Sequence, residues 1–537
     1  MEAVLNVKKV PDRLAKSVVA EHERGLASQI YKARRGSACA SVSLLSSALA
    51  AVMMRRLLLF FLLLMLPGPL LAQQYDLVLQ GGRVMDPETN LDAVRNVGIK
   101  GGTIAAISAQ PLQGRRVIDV TGLVVAPGFI DLHQHAQDLA SQRLKAFDGV
   151  TSALELEIGV PDVAQFLKAK QGHSLINYGT SASQVAARSL AFGTPLPAGS
   201  ILPKIGPATN DAATPEQMAA MEKRLNQQLD VGALAIGVGL GYTPGATRME
   251  VIDLFRLAAA RRVPVYTHVR SSGHLEPGSA IESIEEVIGA AAISGAPLHI
   301  VHINSTCALD ALDCLSLVAG ARARGLDVTT EAYPYIAGMT TINSAIFSPG
   351  WQQRLGISYH DIMIPSTGER LTKARFEELH ASSKPLFVVI FGNSQEVLDR
   401  LIPNPLIMIA SDGLEGHPRN AGTYSRILAE YVRAKGTVTL MDALRKMSLM
   451  PAEMLQRSTP AARRKGRIQP GADADIVVFD PKTITDRATY AHPMLPSTGV
   501  HYLIVGGTVL IDQGKMLPGV FPGHALLGPG SATASLN

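Results

Sequence analysis

Between residues 126 and 464 short apolar runs alternate with amphipathic stretches, and few folds accommodate that rhythm. The runs are FIDLHQH, TSALELE, INYGTSA, ALAIGVGL, VPVYTHV, PLHIVHIN, LDVTTEAY, PLFVVIF and PLIMIASD. Each has the length of a strand and is bounded by Pro, Gly or charged turns. Between several of them lie helix-period segments such as PEQMAAMEKRLNQQL, RMEVIDLFRLAAARR and ALDALDCLSLVAGARARG. The alternation predicts an α/β chain: the eight strands of a (β/α)8 TIM-type barrel, with one extra strand in an insertion. A doubly wound sheet is the alternative, but no G-x-G-x-x-G follows a first strand. The long, turn-rich segment Ser348 to Thr372 sits between strands and reads either as a lid over the pocket or as an ordinary surface insertion.

The flanks have a different pattern. YDLVLQGGRVMDPETN, VGIKGGTIAAIS and VIDVTGLVVAPG are short β-branched runs split by Gly-Gly and Asp-Pro turns. ADIVVFDPKTI and HYLIVGGTVLIDQGK repeat that pattern near the C-terminus. The two groups are expected to pair into one small β-sandwich domain, residues 75–125 with 465–520, beside a barrel over 126–464.

The run VVAPGFIDLHQH places His133 and His135 on one face of its strand, together with Asp131, by period two. In a barrel they would lie at the C-terminal end, where barrel enzymes keep their chemistry. Later strands bring His268, His302 and Asp412 to the same end in the same register. Imidazoles and carboxylates so gathered are ligands for a divalent metal. Two ions held together need a bridging anion. The fourth strand, ALAIGVGL, has no lysine to supply a carboxylated one, whereas the second carries Glu155 and Glu157 on one face. Glu157, nearer the strand end, is the expected bridge and Glu155 the second choice; an arginine partner inside the barrel is the other way to satisfy these acids.

The formal net charge of +5 does not describe the folded body. Residues 1–72 carry ten Lys/Arg and four Asp/Glu, leaving 40 basic and 41 acidic residues beyond them, so nothing favours a nucleic-acid partner. Met53-Met54-Arg55-Arg56, the apolar run that follows and Ala72 read as a secretory signal peptide over residues 53–72. The uninterrupted apolar stretch before Pro67 falls short of the ~20 residues of a membrane span, so no stable membrane anchor is expected. Translation is expected to start at Met53 or Met54, which makes residues 1–52 a doubtful leader, and the mature chain is expected in the bacterial periplasm. Cys307 and Cys314, in one continuous helix, would stand about 10 Å apart along its axis, too far for a disulfide.

The segments Ala126 to His135, Gly149 to Glu157, Gly239 to Ala246, Thr267 to Arg270, Ile300 to Asn304, Ser411 to Arg426 and Gly466 to Tyr490 together resemble the amidohydrolase superfamily. Within it, they resemble the N-acyl-D-amino-acid deacylase (D-aminoacylase) family, over about residues 75 to 525. The resemblance implies one or two divalent ions, zinc foremost. His133 and His135 would hold one and His268 and His302 the other, with Asp412 contacting the first and acting as proton shuttle. Two departures stand out. The family often has a cysteine near the position of Glu157, a change toward harder metals. Its S-H-L-K pattern carries a lysine for the substrate carboxylate, where this chain reads VHIN with Asn304.

The implied activity is hydrolysis of an N-acyl-D-amino acid by metal-activated water. Arg270 is the candidate clamp for the substrate carboxylate, or else a buried partner of Glu155. Tyr242 is a candidate donor to the oxyanion, or a core tyrosine. Alternatives are another hydrolase of the superfamily, acting on a dipeptide, cyclic amide or lactone, and a non-catalytic exported binding protein. The expected partner is a small-molecule substrate, and a homo-oligomer is left open.

Overall fold

The computed structural model describes residues 53–54 and 75–533, apart from 198, 383 and 385. The leader and most of the signal segment lie outside the described residues. Eight parallel strands form the central sheet: Phe129–Asp131, Val150–Val160, Asn177–Ser183, Ile236–Gly239, Val265–His268, Leu298–Ile300, Val328–Ala332 and Ile407–Ile409. Each pairs with the next in sequence. A parallel bridge between Gln134 and Gly413 joins the first strand's continuation to the last's. Ser411 N donates to Asp131 Oδ1 at 3.0 Å across the same seam. The sheet is thus a barrel, as the alternation predicted, and not a doubly wound sheet. Its strands are buried along nearly their whole length, which is why they read as continuous apolar runs.

Helices on the outside start where their sequences signal. Thr214 and Gln217 form a reciprocal cap on Pro215–Asp230, and Ser279 with Glu282 does the same for Ala280–Ser294. The first of these buries Met221, Leu225 and Leu229 along one stripe. Among the described residues no helix is long and apolar enough to cross a membrane.

The terminal segments join in one nine-stranded sheet. Val124–Pro127 lies beside Tyr75–Asp86 on one side and Ile476–Phe479 on the other, with Val125 opposite Val478. Leu79, Val97, Ile476 and Ile504 share a core that belongs to this unit alone. The chain passes from it into the first barrel strand at Gly128. A Cβ there would lie 2.2 Å from the Thr151 side chain, so the crossing requires glycine.

The run among the nine that is not a barrel strand is PLFVVIF, which forms Phe387–Ile390. It belongs to a small antiparallel sheet with Gly338–Thr341 and Ile362–Met363, inserted between the seventh and eighth barrel strands. Trp351, Phe376 and Phe347 pack edge-to-face or tilted in the insertion's own core, with centroids 5.1–5.4 Å apart. Ser348 to Thr372 is part of this body: it carries the helix Trp351–Leu355 and the strand Ile362–Met363, and its Leu355 and Ile357 face the cavity above the barrel.

The expectation for the cysteines is corrected. Cys307 and Cys314 form a disulfide, with Cα atoms 6.6 Å apart. The helix assumed to separate them is broken: a short helix Ile303–Thr306 gives way to a 3-10 turn at Ala308–Asp310 before Ala311–Ala323 begins. Cys307 sits in the break, where the axial rise of a continuous helix does not apply.

Candidate metal centre

All six expected ligands converge at the C-terminal mouth of the barrel. His133 and His135 follow the first strand, Glu157 lies in the second, His268 ends the fifth, His302 follows the sixth and Asp412 follows the eighth. Two of them bend the backbone to reach the site: His302 has φ +29° and Asp412 φ +50°. Side-chain-bearing residues seldom adopt positive φ, and where they do the strain concentrates at functional sites.

The donors form two lobes that share one carboxylate. In the first, Glu157 Oε2 lies 3.0 Å from both His133 Nε2 and His135 Nε2. The two imidazole nitrogens are 3.1 Å apart, and Asp412 Oδ1 is 3.2 Å from His135 Nε2 and 3.5 Å from His133 Nε2. In the second, Glu157 Oε1 lies 2.8 Å from His268 Nδ1 and 2.9 Å from His302 Nε2. A tetrahedral ion with bonds of ~2.0–2.2 Å sets its ligands about 3.3–3.5 Å from one another. The first lobe has close to that shape, and the second offers three donors with one face open. The donor set therefore fits two divalent cations, one in each lobe, and Glu157 would offer one oxygen to each.

The far nitrogens of the imidazoles are held as well. His135 Nδ1 is 2.5 Å from Glu155 Oε2. The other oxygen of Glu155 accepts from Ile158 N and Gly159 N at 3.2 Å, where the second strand bulges. His133 Nδ1 is 2.7 Å from Glu331 Oε1, and Glu331 Oε2 is 3.0 Å from His299 Nε2. His302 Nδ1 is 2.8 Å from Thr306 Oγ1. A proton held on the outer nitrogen leaves the inner lone pair aimed into the lobe. Glu155 is thus a support for His135, and the choice between the two glutamates falls to Glu157 on geometry.

Charge is concentrated here. Burial opposes protonation of His133, but the Glu157 and Asp412 carboxylates overcome it and hold the imidazolium up to about 10. The same balance lifts His135, by way of Glu155. Burial works against ionised Glu331, yet hydrogen bonds to His133 and His299 hold its carboxyl down to about 2. Arg419 and His133 likewise overcome burial to keep Asp412 well below the ordinary carboxylate range. On His302 burial prevails, and the imidazole is pushed down.

Not every expected contact forms. Tyr242 does line the cavity, its ring 4.8 Å from that of His268 and its hydroxyl 3.4 Å from Thr340 Oγ1. Arg270 does not reach the site. Its guanidinium pairs with Glu286 at 2.7 and 2.9 Å and donates to Pro244 O. The fifth strand ends at His268, so the period-two argument no longer holds at residue 270. Asn304 is also diverted. It exchanges two 3.3 Å hydrogen bonds with the backbone of Tyr333, fixing the turn after the seventh strand. Asp131 faces the barrel seam, bound to Ser411 Oγ at 2.6 Å and Lys145 Nζ at 3.0 Å.

Glu331 and Arg419 were not singled out by sequence. Glu331 lies in the run LDVTTEAY, and the rule that found Glu157 would have flagged it. Glu331→Gln is expected to weaken metal retention about 10–100-fold, the usual cost of losing such a support. Chelator competition on the purified variant measures it, and unchanged affinity would remove Glu331 from the centre.

A parallel barrel with paired histidine–carboxylate lobes at its mouth belongs to a hydrolase class that comparison identifies. A family model described as the amidohydrolase family matches residues 296–511. An N-acyl-D-glutamate deacylase of Alcaligenes xylosoxydans xylosoxydans is 30% identical over 85% of this chain and 97% of its own length. A D-aminoacylase from the same organism is 28% identical over 81% and 94%. The crystal structure of N-acyl-D-glutamate deacylase from Bordetella bronchiseptica, complexed with zinc and a phosphonate inhibitor, matches with a TM-score of 0.72. It is 26% identical and covers 85% of this chain and 100% of that one. The chain belongs to the amidohydrolase superfamily, in its N-acyl-D-amino-acid deacylase (D-aminoacylase) family. It is a hydrolase of carbon–nitrogen bonds other than peptide bonds.

Proposed function

We propose that the chain hydrolyses N-acyl-D-amino acids to a carboxylate and a D-amino acid, with zinc in the two lobes and Asp412 as proton shuttle. The observation that carries the reading is Glu157, whose two oxygens each belong to one lobe, with Asp412 beside the first. When bound, divalent cations there would acidify water and polarise an acyl carbonyl. Asp412, kept ionised by Arg419, takes the proton of the attacking water and passes it to the leaving nitrogen. Tyr242 stands at the lobe edge, where its hydroxyl can donate to the developing oxyanion.

Arg419 replaces Arg270 and Asn304 as the candidate for the substrate carboxylate. It is fully buried, with Nη1 2.9 Å from Asp412 Oδ2 and its guanidinium 4.7 Å from the Tyr333 ring centroid. The contact with Asp412 is a charge pair without hydrogen-bond alignment. None of its three guanidinium nitrogens has a hydrogen-bond acceptor among the described residues. Its free donors suit an incoming carboxylate once the guanidinium turns toward the cavity, whose lining it does not join as it stands. Arg419→Lys is expected to raise KM for an N-acyl amino acid at least ~10-fold, because an ammonium lacks the guanidinium's fork. Steady-state kinetics checks the size and the split between KM and kcat.

The test of the function is a panel of N-acetyl-D- and N-acetyl-L-amino acids assayed together with zinc content by elemental analysis. Turnover of the D series with about two zinc ions per chain is expected. Absence of turnover on the whole panel sinks the reading.

Metal binding should also depend on pH in a stated direction. His133 holds its proton up to about 10, so metal must displace that proton at neutral pH. Apparent affinity is expected to rise with pH between 6 and 8, about tenfold per unit for each proton released. Chelator competition at three pH values, with proton release followed by an indicator, measures both.

A further inference from the structure

A cavity opens over the two lobes, with His135, Glu157, His268, His302 and Asp412 at its floor. Its walls have another chemistry. Ile158, Leu202 and Tyr242 pack into one apolar cluster with Ile201 and Ile346, which ties the barrel mouth to the inserted sheet. Leu355, Ile357 and Ile390 rest on the core of the insertion and line the cavity as well. Phe387, 38% exposed, extends the apolar surface outward. No Lys or Arg is among the described residues that line it, and its polar residues away from the floor are Ser, Thr and Asn.

Building on the proposed N-acyl-amino-acid hydrolysis, we infer that this cavity selects substrates whose free group is bulky, apolar and uncharged, and rejects those that carry a second carboxylate. Among the described residues the cation in contact with the floor is Arg419, which lies outside the lining and is already paired with Asp412. A second carboxylate would lose its water against isoleucine and leucine walls and gain no cation in exchange. An aliphatic or aromatic group avoids that cost and buries its surface against the walls. The glutamate in the name of the 30%-identical relative therefore does not carry over to this chain.

The apolar group can belong to the amino acid or to the acyl chain, and the experiment separates the two. The zinc-loaded enzyme is assayed with N-acetyl-D-leucine, N-acetyl-D-phenylalanine, N-acetyl-D-glutamate and N-acetyl-D-aspartate, and with N-octanoyl-D-alanine against N-acetyl-D-alanine. In parallel, calorimetry measures binding of the leucine and glutamate compounds to zinc-loaded Asp412→Asn. A preference of about 10²-fold or more in kcat/KM for the apolar compounds over the acidic ones is expected. A gain along the leucine and phenylalanine arm places the side chain in the cavity, and a gain along the octanoyl arm places the acyl chain there. Acidic substrates turned over as well as or better than apolar ones would overturn the inference and leave the proposed function standing. Tighter binding of the leucine compound by Asp412→Asn, with wild-type enzyme hydrolysing nothing, would support the inference and remove the function. Equal binding of the two compounds, or none, together with no gain along the octanoyl arm, overturns the inference.

Discussion

Replacing Glu157 by glutamine is expected to empty both metal lobes at once. The two oxygens of Glu157 lie within 3.0 Å of four different imidazoles, two on each side. An amide retains one weak acceptor and presents an NH2 group to the other lobe, where it repels a cation. Metal content after dialysis should fall below about a tenth of the wild-type value, and turnover on the order of 10³-fold, because water activation is lost with the ions. Elemental analysis reads the first and steady-state kinetics the second. Circular dichroism serves as the control for folding, since the removed charge lies among four histidines, three of them buried. Glu157→Asp sharpens the test. Its shorter side chain reaches one lobe, so about half the metal should remain. Full occupancy in both variants would show that the lobes do not depend on a shared carboxylate.

The same residue shows what the sequence made legible. Strand alternation on the second strand put Glu155 and Glu157 on one face, and both do point to the centre. What period two cannot express is the bulge at residues 156–159, which turns backbone amides onto Glu155 and makes it a support instead of a bridge. The barrel itself was readable because its strands are buried along their length and its helices carry their own caps. The inserted sheet was not, because Phe387–Ile390 has the same local pattern as a barrel strand and differs only in the partner it finds. Arg270 and the cysteines failed for a related reason. Each expectation extended a regular element past its end, the fifth strand beyond His268 and a helix through Cys307. Arg419 carries no periodic signal at all. It enters the site from the helix Arg419–Arg426 after the eighth strand, and only tertiary packing sets it beside Asp412.

Asp412→Asn should leave a protein that retains most of its metal and barely turns over. His133, His135 and Glu157 still close the first lobe, and an asparagine oxygen can stay near His135 Nε2. The amide cannot take up the proton that a carboxylate must first accept and then give to the departing nitrogen. General acid–base assistance of this kind is worth on the order of 10²–10⁴-fold, and the loss should fall on kcat more than on KM. A stability cost accompanies it, because Arg419 is left as a buried cation without its counter-charge. The pH profile separates the two effects. Arg419 and His133 hold the Asp412 carboxyl below the usual carboxylate range, so the base stays ionised into acid and the acidic limb of the wild-type profile follows loss of metal. In the variant, kcat per metal-loaded, folded molecule should stay low at every pH, whereas a merely destabilised enzyme would recover the wild-type value on that basis. Near-normal kcat with an unaltered profile would take the shuttle away from Asp412.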